Sequence, residues 1–323
     1  MHGQPAESGP ASPVSPVSPA SPVTTAGTAP PLGRHHDVDG RRLLLHRAGT
    51  GGPSVVFLPG AGLVGLDFLN LQESAAGFTT AVVYDRAGTG WSDPADLPRS
   101  AAEVAGELRG LLRAAGVPGP YLLAGHSLGA FYARRYAQLF PGEVAGLLLL
   151  DPGHEDIFDH LPEGAAELNE RMKPDPETMP DLTGEQLASA RAALTGLLAA
   201  WPDGVREALV AYHLTDWRTQ LHETANFETE IYDELRNGGP LPDVPLILLT
   251  AGGRNPYWAH FMTEEQMRAA HDGIRAMHTA LAASVPRGER RELPGASHQY
   301  LHIEQTDAVL DALRDLLAAT RAR

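Results

Sequence analysis

Short apolar runs alternate with segments of helical periodicity along most of the chain. A short apolar run that ends at Gly, Pro or Asp is typical of a strand buried in a sheet. The sequence predicts an early edge strand at 41–46 and further strands at 54–58, 80–84, 121–124, 144–150, 245–250 and 289–293. Apolar residues at helical spacing predict helices over 101–115, 128–140 and 304–319. This alternation indicates an α/β fold, with a parallel sheet covered by helices on both faces.

Two segments break the alternation and divide the chain. Residues 1–33 are rich in Pro, Ser and Ala, and such a segment buries too little apolar surface to offset its ordering entropy, which predicts a disordered tail. Residues 153–243 carry many Glu, Ala and Leu residues and few β-branched ones. We interpret them as a helical cap inserted into a core formed by residues 34–152 and 244–323.

Composition narrows the classes of function. The 323 residues carry a formal net charge of −15, which disfavours nucleic-acid and anionic-membrane partners because both require basic patches. The absence of cysteine excludes disulfides, thiolate metal sites and cysteine nucleophiles. No stretch approaches the roughly 18 apolar residues of a membrane span, and no secretory signal is visible at the N-terminus. We therefore expect a cytoplasmic protein without a membrane span; its oligomeric state is unspecified.

A G-x-S-x-G motif, Gly125-His126-Ser127-Leu128-Gly129, lies directly between an apolar run and a helical pattern. That strand–turn–helix context is the one in which the motif forms a nucleophile elbow. Ser127 is therefore the predicted nucleophile, and the N–H group of Leu128, at a helix N-terminus, is a predicted oxyanion-hole donor. The alternative is a tight turn with an incidental serine.

A second Gly-rich turn, Leu58-Pro59-Gly60-Ala61-Gly62, follows the predicted strand at 54–58. Such a turn presents backbone N–H groups to the same pocket. Pro59 has no N–H group, so Ala61 is the predicted second oxyanion-hole donor beside Leu128. The alternative is a connection without a catalytic contact.

In this order along the chain, the motifs LPGAG, YDRAGTGWSD, GHSLG and GASH resemble the α/β-hydrolase fold family. The resemblance covers roughly residues 34–152 and 244–323. It implies an eight-stranded, mostly parallel sheet, a Ser-His-acid triad, a mobile cap, and no metal or organic cofactor. The chain departs from the pattern at Pro59, where relatives often carry a histidine before the glycine.

The base and the acid come from distant parts of the chain. His298, in the late GASH motif, is the predicted base that takes the proton of Ser127. Many relatives place the acid after the strand that follows the cap, where this chain has Asn255; some place it at the end of the strand before the cap, where this chain has Asp151. Asp151 is the predicted acid. Further candidates are Glu155 and Asp156, and Asn255 is an alternative as a neutral orienting residue.

Aromatic residues indicate the substrate. Trp217, Tyr257 and Trp258 are predicted to line an apolar pocket, against the alternative of ordinary helix packing. The resulting hypothesis is a serine hydrolase that cleaves a carboxylic ester, lactone or related acyl bond of a small apolar acyl or ring-bearing substrate through an acyl-enzyme. Aminopeptidase or amidase, thioesterase and carbon–carbon hydrolase activities use the same residues. A non-hydrolytic binding protein on the same fold is the alternative from another class.

Overall fold

Eight strands form one mixed sheet in the computed structural model, which describes residues 29–254 and 261–321. Their spatial order is β1-β2-β4-β3-β5-β6-β7-β8. The strands are β1 (Arg34–Val38), β2 (Arg41–Ala48), β3 (Ser54–Leu58), β4 (Ala81–Tyr84), β5 (Tyr121–His126), β6 (Val144–Leu150), β7 (Leu246–Ala251) and β8 (Gly288–Leu293). All neighbouring pairs from β4 to β8 are parallel, whereas β2 is antiparallel to both β1 and β4. The predicted α/β fold with an eight-stranded, mostly parallel sheet is confirmed.

Helices cover both faces of the sheet and fill the connections between its strands. In the described part of the chain they are α1 (Leu69–Ala75), α2 (Ala101–Ala114), α3 (Leu128–Leu139), α4 (Ile157–His160), α5 (Ala165–Met172), α6 (Gly184–Leu197), α7 (Asp203–Thr215), α8 (Thr219–Thr224), α9 (Tyr232–Asn237), α10 (Glu264–Ala283), α11 (Leu301–Glu304) and α12 (Thr306–Arg321). A short π-helical turn, Phe227–Ile231, joins α8 to α9. Helices α4 to α9 all lie between β6 and β7; we call residues 153–243 the helical insertion.

The core has two halves because successive residues of each strand point to opposite faces of the sheet. Along β3, Val56 and Leu58 pack on one face with α2 and α3, while Val55 and Phe57 pack on the other with α1 and α12. All five β3 residues are buried, as expected for a strand of a parallel sheet covered on both faces. This rigid centre carries the loops at the carboxyl ends of β3, β5 and β6.

The structure corrects several element predictions. The strand predicted at 41–46 is not the edge of the sheet, because β1 pairs with it through a hairpin whose turn is Asp39-Gly40. Both turn residues have positive φ, 51° and 83°, and Asp-Gly is a strong sequence signal for such a turn. The helix predicted at 304–319 corresponds to α12, which begins at Thr306, and the short helix α11 that precedes it is absent from the prediction. Of the predicted disordered tail, residues 1–28 lie outside the described residues.

Helix α10, with 20 residues, is absent from the sequence-based predictions. Its start is nevertheless encoded: the Thr263 side chain accepts a hydrogen bond from the Gln266 backbone N–H, and Gln266 Oε1 accepts one that the Thr263 N–H donates. This reciprocal capping box has a recognisable S/T-x-x-E/Q signature. The omission matters for the site, because α10 contributes to its wall.

Candidate active site

Ser127 lies on a sharp turn between β5 and α3. Its backbone has φ 50° and ψ −114°, a conformation that L-residues rarely adopt and that persists only where the surroundings enforce it. The two motif glycines make the turn sterically feasible. A Cβ atom on Gly125 would lie 2.5 Å from the Gly129 carbonyl oxygen, and one on Gly129 would collide with the Leu58 carbonyl oxygen. The elbow therefore requires glycine on both sides of the serine.

Three side chains from separate loops form a continuous hydrogen-bonded chain. His298 Nε2 lies 3.0 Å from Ser127 Oγ, and His298 Nδ1 lies 2.6 Å from Asp151 Oδ2. Ser127 follows β5, Asp151 follows β6, and His298 follows β8, so all three lie at the carboxyl edge of the parallel strands. This edge is where open α/β sheets bind their ligands. The structure thus brings together the predicted nucleophile, base and acid.

Asp151 is held in place by its backbone as well as by His298. Its backbone φ is 43°, and its second carboxylate oxygen accepts a hydrogen bond from the Ala251 N–H group at 2.9 Å. Burial favours the neutral acid, but the hydrogen bond and charge of His298 outweigh it and hold the pKa of Asp151 below its ordinary value. Asp151 is therefore a carboxylate at neutral pH, and it is suited to stabilising an imidazolium.

Asp151 in turn changes the pKa of His298. Burial alone would lower its pKa, but the hydrogen bond and the charge of Asp151 raise the pKa of His298 above 6.5. The His298 side chain keeps 46% of its surface exposed, so a substrate can reach it. A histidine with a raised pKa is a stronger base toward the serine hydroxyl.

Two further histidines support this arrangement without touching Ser127 Oγ. Burial and the nearby His298 lower the pKa of His126 to about 4, so its neutral ring donates from Nε2 to the His298 carbonyl oxygen at 2.7 Å. His278 bridges Thr250 Oγ1 and the Pro152 carbonyl oxygen, both at 3.0 Å. One ring holds the loop of the base, and the other holds the loop after Asp151.

The predicted oxyanion donors flank the elbow. Leu128 is the first residue of α3, and the first N–H groups of a helix have no partner within it. The loop that contains Ala61 packs against the elbow, since a Cβ atom on Gly60 would lie 2.7 Å from His126 Nδ1. Pro59, where relatives often carry histidine, contributes its carbonyl oxygen to Arg86.

Arg86, in the YDRAGTGWSD motif, pairs with Glu223 of the helical insertion at 2.8 Å. Asp85 accepts hydrogen bonds from the backbone of Gly65 and Trp91. Sequence reasoning does not find this pair because its members are 137 positions apart.

A cavity of about 310 Å³ opens at Ser127, Asp151 and His298. Its wall is mostly apolar, and the helical insertion contributes the largest share of it, including Ile157, Phe158, Leu161, Leu168, Met172 and Phe227. Helix α10 adds Ile274 and Met277, and Phe131 comes from α3. The cavity is at the small end of the range for ligand pockets, roughly 300–1,000 Å³.

None of the three predicted substrate-binding residues is placed at the cavity wall by the described part of the chain. The structure does not bring Trp217 to the cavity wall; its ring faces the Arg218 guanidinium, with 4.2 Å from Cζ to the ring centroid. Tyr257, Trp258 and the alternative acid Asn255 lie outside the described residues. Phe227 and Met172, from the same aromatic-rich and methionine-bearing insertion, do line the cavity.

Within the described ranges, no group of three His, Asp or Glu side chains has the geometry to hold a metal ion. No helix there is both long enough and apolar enough to cross a membrane. The cytoplasmic location remains a prediction.

An eight-stranded sheet of this order with a serine on a strained elbow defines the alpha/beta hydrolase class, and residues 55–312 match the alpha/beta hydrolase family. The chain belongs to that family. The uncharacterized protein YqjL of Bacillus subtilis (strain 168) is 35% identical over 120 residues, which cover 36% of this chain and 47% of that protein. The chain thus spans less than half the length of the first curated relatives that it matches.

Two solved structures share the fold. A thermophilic esterase from Thermogutta terrifontis matches with a TM-score of 0.55 and 19% identity, over 88% of this chain and 98% of that chain. A mutant epoxide hydrolase of Vigna radiata matches with a TM-score of 0.56 and 16% identity, over 88% of this chain and 98% of that chain. At such identities the likeness concerns the fold alone, and one fold serves several reactions.

Proposed function

We propose that this enzyme is a serine hydrolase that cleaves carboxylic esters or related acyl bonds with a small apolar acyl or ring-bearing group. The observation that carries the proposal is the hydrogen-bonded chain from Asp151 through His298 to Ser127 at the mouth of an apolar cavity. Each member supplies one chemical requirement: a nucleophile, a base with a raised pKa, and a buried carboxylate that orients the base.

The chemistry proceeds in two halves. Ser127 Oγ attacks the acyl carbon while its proton passes to His298 Nε2, and the carbonyl electron pair moves onto oxygen. The N–H groups of Ala61 and Leu128 are the proposed donors to that oxyanion, each worth roughly 3 kcal/mol in the transition state. The intermediate collapses to the acyl-enzyme as His298 protonates the leaving alcohol, and water then repeats the sequence to release the acid.

The nature of the nucleophile separates this proposal from epoxide opening of the aspartyl type. That chemistry forms an ester between the substrate and an enzyme carboxylate, and the elbow of this chain carries the hydroxyl of Ser127 in that position. A serine hydroxyl activated by histidine is suited to acyl transfer. We also propose that the helical insertion acts as the cap, because it supplies the largest share of the cavity wall.

The cavity sets an expectation for acyl size. Each methylene buried in an apolar site contributes about 0.8 kcal/mol, which is about a fourfold gain in kcat/KM. We expect kcat/KM for p-nitrophenyl esters to rise with acyl length and then level off when the cavity is full. Leu168→Trp on α5 narrows the wall and moves that limit to a shorter chain; Leu187→Trp on α6, away from the cavity, leaves it unchanged.

The decisive comparison uses the same esters with three variants. Ser127→Ala abolishes turnover and Asp151→Asn reduces it severely, whereas Asn255→Ala leaves it near the wild-type rate. An inactive wild type, or activity that survives Ser127→Ala, refutes the proposed function. Loss of activity in Asn255→Ala but not in Asp151→Asn would assign the orientation of His298 to Asn255, as a neutral residue, and not to Asp151.

A further inference from the structure

A fully buried ion pair holds the proposed oxyanion loop from two sides. Arg86 follows β4, Glu223 belongs to α8 of the helical insertion, and both side chains are 2% exposed. Arg86 Nε donates to Glu223 Oε1 at 2.8 Å, and Nη2 donates to Oε2 at 3.0 Å. A paired, bidentate geometry of this kind is rigid and directional.

The same two side chains also form hydrogen bonds to the loop around Ala61. Arg86 Nη1 donates to the Pro59 carbonyl oxygen at 2.8 Å, and Nη2 donates to the Gly60 carbonyl oxygen at 3.0 Å. Glu223 Oε2 accepts from the Gly62 N–H group at 2.7 Å. Arg86 therefore binds two carbonyl oxygens before Ala61, and its Nη2 also lies 3.3 Å from the Leu63 carbonyl oxygen after it. Glu223 binds the N–H group that directly follows Ala61.

These contacts fix both peptide planes of Ala61. The Gly60–Ala61 bond is trans, and in a trans peptide the C=O and N–H bonds point in opposite directions. Because the Gly60 carbonyl oxygen accepts from Arg86, we infer that the Ala61 N–H group is directed away from the arginine. The next plane is set in the same way, because the Gly62 N–H group points to Glu223. With both planes fixed, the backbone dihedrals of Ala61 have little freedom.

We propose that Arg86 and Glu223 form a clamp that positions the Ala61 N–H group for oxyanion stabilisation, so that the helical insertion completes the catalytic geometry of the core. Both are positioning residues, and the clamp builds on the proposed function. Helix α8 fits tightly on the loop, since a Cβ atom on Gly62 would lie 2.7 Å from the Cβ atom of Gln220. The insertion thus bears on catalysis as well as on substrate size.

The clamp makes a prediction that a purely structural ion pair does not. Oxyanion donors act in the transition state, so a misdirected N–H group lowers kcat and kcat/KM together and leaves KM nearly unchanged. We expect Glu223→Gln to lower kcat about 10- to 100-fold, the scale of a misplaced or missing donor. A trifluoromethyl ketone, to which Ser127 Oγ adds to form a hemiketal oxyanion as its proton passes to His298, should lose affinity by a similar factor. The matching alcohol, which forms no oxyanion, should bind as in the wild type.

Glu155→Gln is the matched control. It breaks another buried, bidentate ion pair, Arg134–Glu155, at 2.6 and 2.7 Å. Among the described residues, the side chains that hydrogen-bond to the loop at 59–62 are Arg86 and Glu223, and neither Arg134 nor Glu155 is among them. A second variant separates folding from positioning. Replacing both members, Arg86→Met with Glu223→Leu, removes the clamp without leaving a buried charge, and such replacements often preserve stability. We expect this variant to fold, to keep its Tm and still to lose kcat.

Hydrogen exchange decides the inference independently of any substrate. Amide exchange in a peptide that covers Pro59–Leu66 should accelerate in Glu223→Gln and in the double variant, but not in Glu155→Gln. If the clamp variants keep the kcat, the ketone affinity and the exchange rates of the wild type, the proposed clamp is wrong. It is also wrong if Glu155→Gln loses as much kcat as Glu223→Gln. If the wild type neither hydrolyses esters nor reacts with a serine-directed phosphonate, the proposed function fails, and the exchange result still decides whether the pair holds the loop.

Discussion

At the scale of single residues, the site depends on opposing effects on two ionisable groups. Burial disfavours the charge on both Asp151 and His298, and their mutual hydrogen bond outweighs burial for both. The pair therefore favours carboxylate and imidazolium together, which is the charge state formed when His298 takes the proton of Ser127. The enzyme in its resting state requires a neutral His298.

The pH profile of hydrolysis should report this balance. Since only neutral His298 accepts a proton and its pKa is raised, we expect kcat/KM to rise with pH through a midpoint above pH 6.5. Asp151→Asn removes the charge that raises the pKa while burial remains, so the midpoint should move below that of the wild type. Its kcat should fall by roughly 10⁴. A midpoint that Asp151→Asn leaves in place would contradict the assignment of Asp151 as the partner.

Gly129 is a second residue with a measurable role. Because a Cβ atom there collides with the Leu58 carbonyl oxygen, we expect Gly129→Ala to lower the free energy of unfolding by about 1–3 kcal/mol and to impair hydrolysis. Gly106→Ala in the exposed part of α2 is the control, since nothing lies within 4 Å of its added Cβ atom. Gly106→Ala should raise the free energy of unfolding by about 0.5–1 kcal/mol. Urea denaturation measures the free energy of unfolding of both variants, and equal changes in the two would refute the steric account.

At the scale of elements, the helical insertion is joined to the core by polar contacts as well as by apolar packing. Trp201 Nε1 donates to the Leu66 carbonyl oxygen at 2.8 Å, and His213 Nε2 of α7 lies 2.8 Å from Asp67 Oδ1. Both core partners lie in the 3₁₀ turn Gly65–Phe68, shortly after the loop that contains Ala61. The insertion is therefore also anchored to the segment that follows the loop containing Ala61.

The His213–Asp67 contact should make stability depend on pH. Burial lowers the pKa of His213, but the charge and hydrogen bond of Asp67 outweigh it and raise the pKa above 6.5. A raised histidine pKa contributes stability below the unfolded-state value of about 6.5, and this contribution is lost as pH rises through the folded-state pKa. Asp216 also faces His213, and burial raises the pKa of Asp216 to about 6, so its ionisation also weakens the folded state as pH rises.

We expect the free energy of unfolding of wild type minus that of His213→Gln to be largest below pH 6.5 and to shrink above it. Chemical denaturation at several pH values measures the difference. A difference that grows with pH would contradict the sign of the His213 shift.

At the scale of the whole molecule, the sequence predicts what depends on local pattern and omits what depends on distant pairing. The strand at Val144–Leu150 is predicted to the residue because a run of seven buried apolar residues has clear limits. The hairpin at Asp39-Gly40 and the capping box of Thr263 are local signals that the sequence analysis did not use. The choice of Asp151 over Asn255 needed the resemblance to a family, since periodicity says nothing about an acid's partner.

Other features arise only when the chain folds. Glu223 meets the Gly62 N–H group across 161 positions of sequence, and the apolar cavity combines residues from α3, the helical insertion and α10. No pattern within one segment encodes such contacts, because each contacting residue is an ordinary polar or apolar residue within its own helix or loop. The aromatic residues of the insertion illustrate the point: Phe227 lines the cavity and Trp217 does not.

The central claim is that Ser127 is an activated nucleophile, and reaction with a fluorophosphonate tests it most directly. Ser127 Oγ attacks phosphorus, fluoride leaves, and the hydroxyl proton passes to His298, so the label reports activation without requiring the natural substrate. Intact mass spectrometry should show one label per chain, with peptide mapping to Ser127. Ser127→Ala should remain unlabelled, and His298→Ala should react orders of magnitude more slowly. An unlabelled wild type, or labelling that persists in Ser127→Ala, would contradict the account.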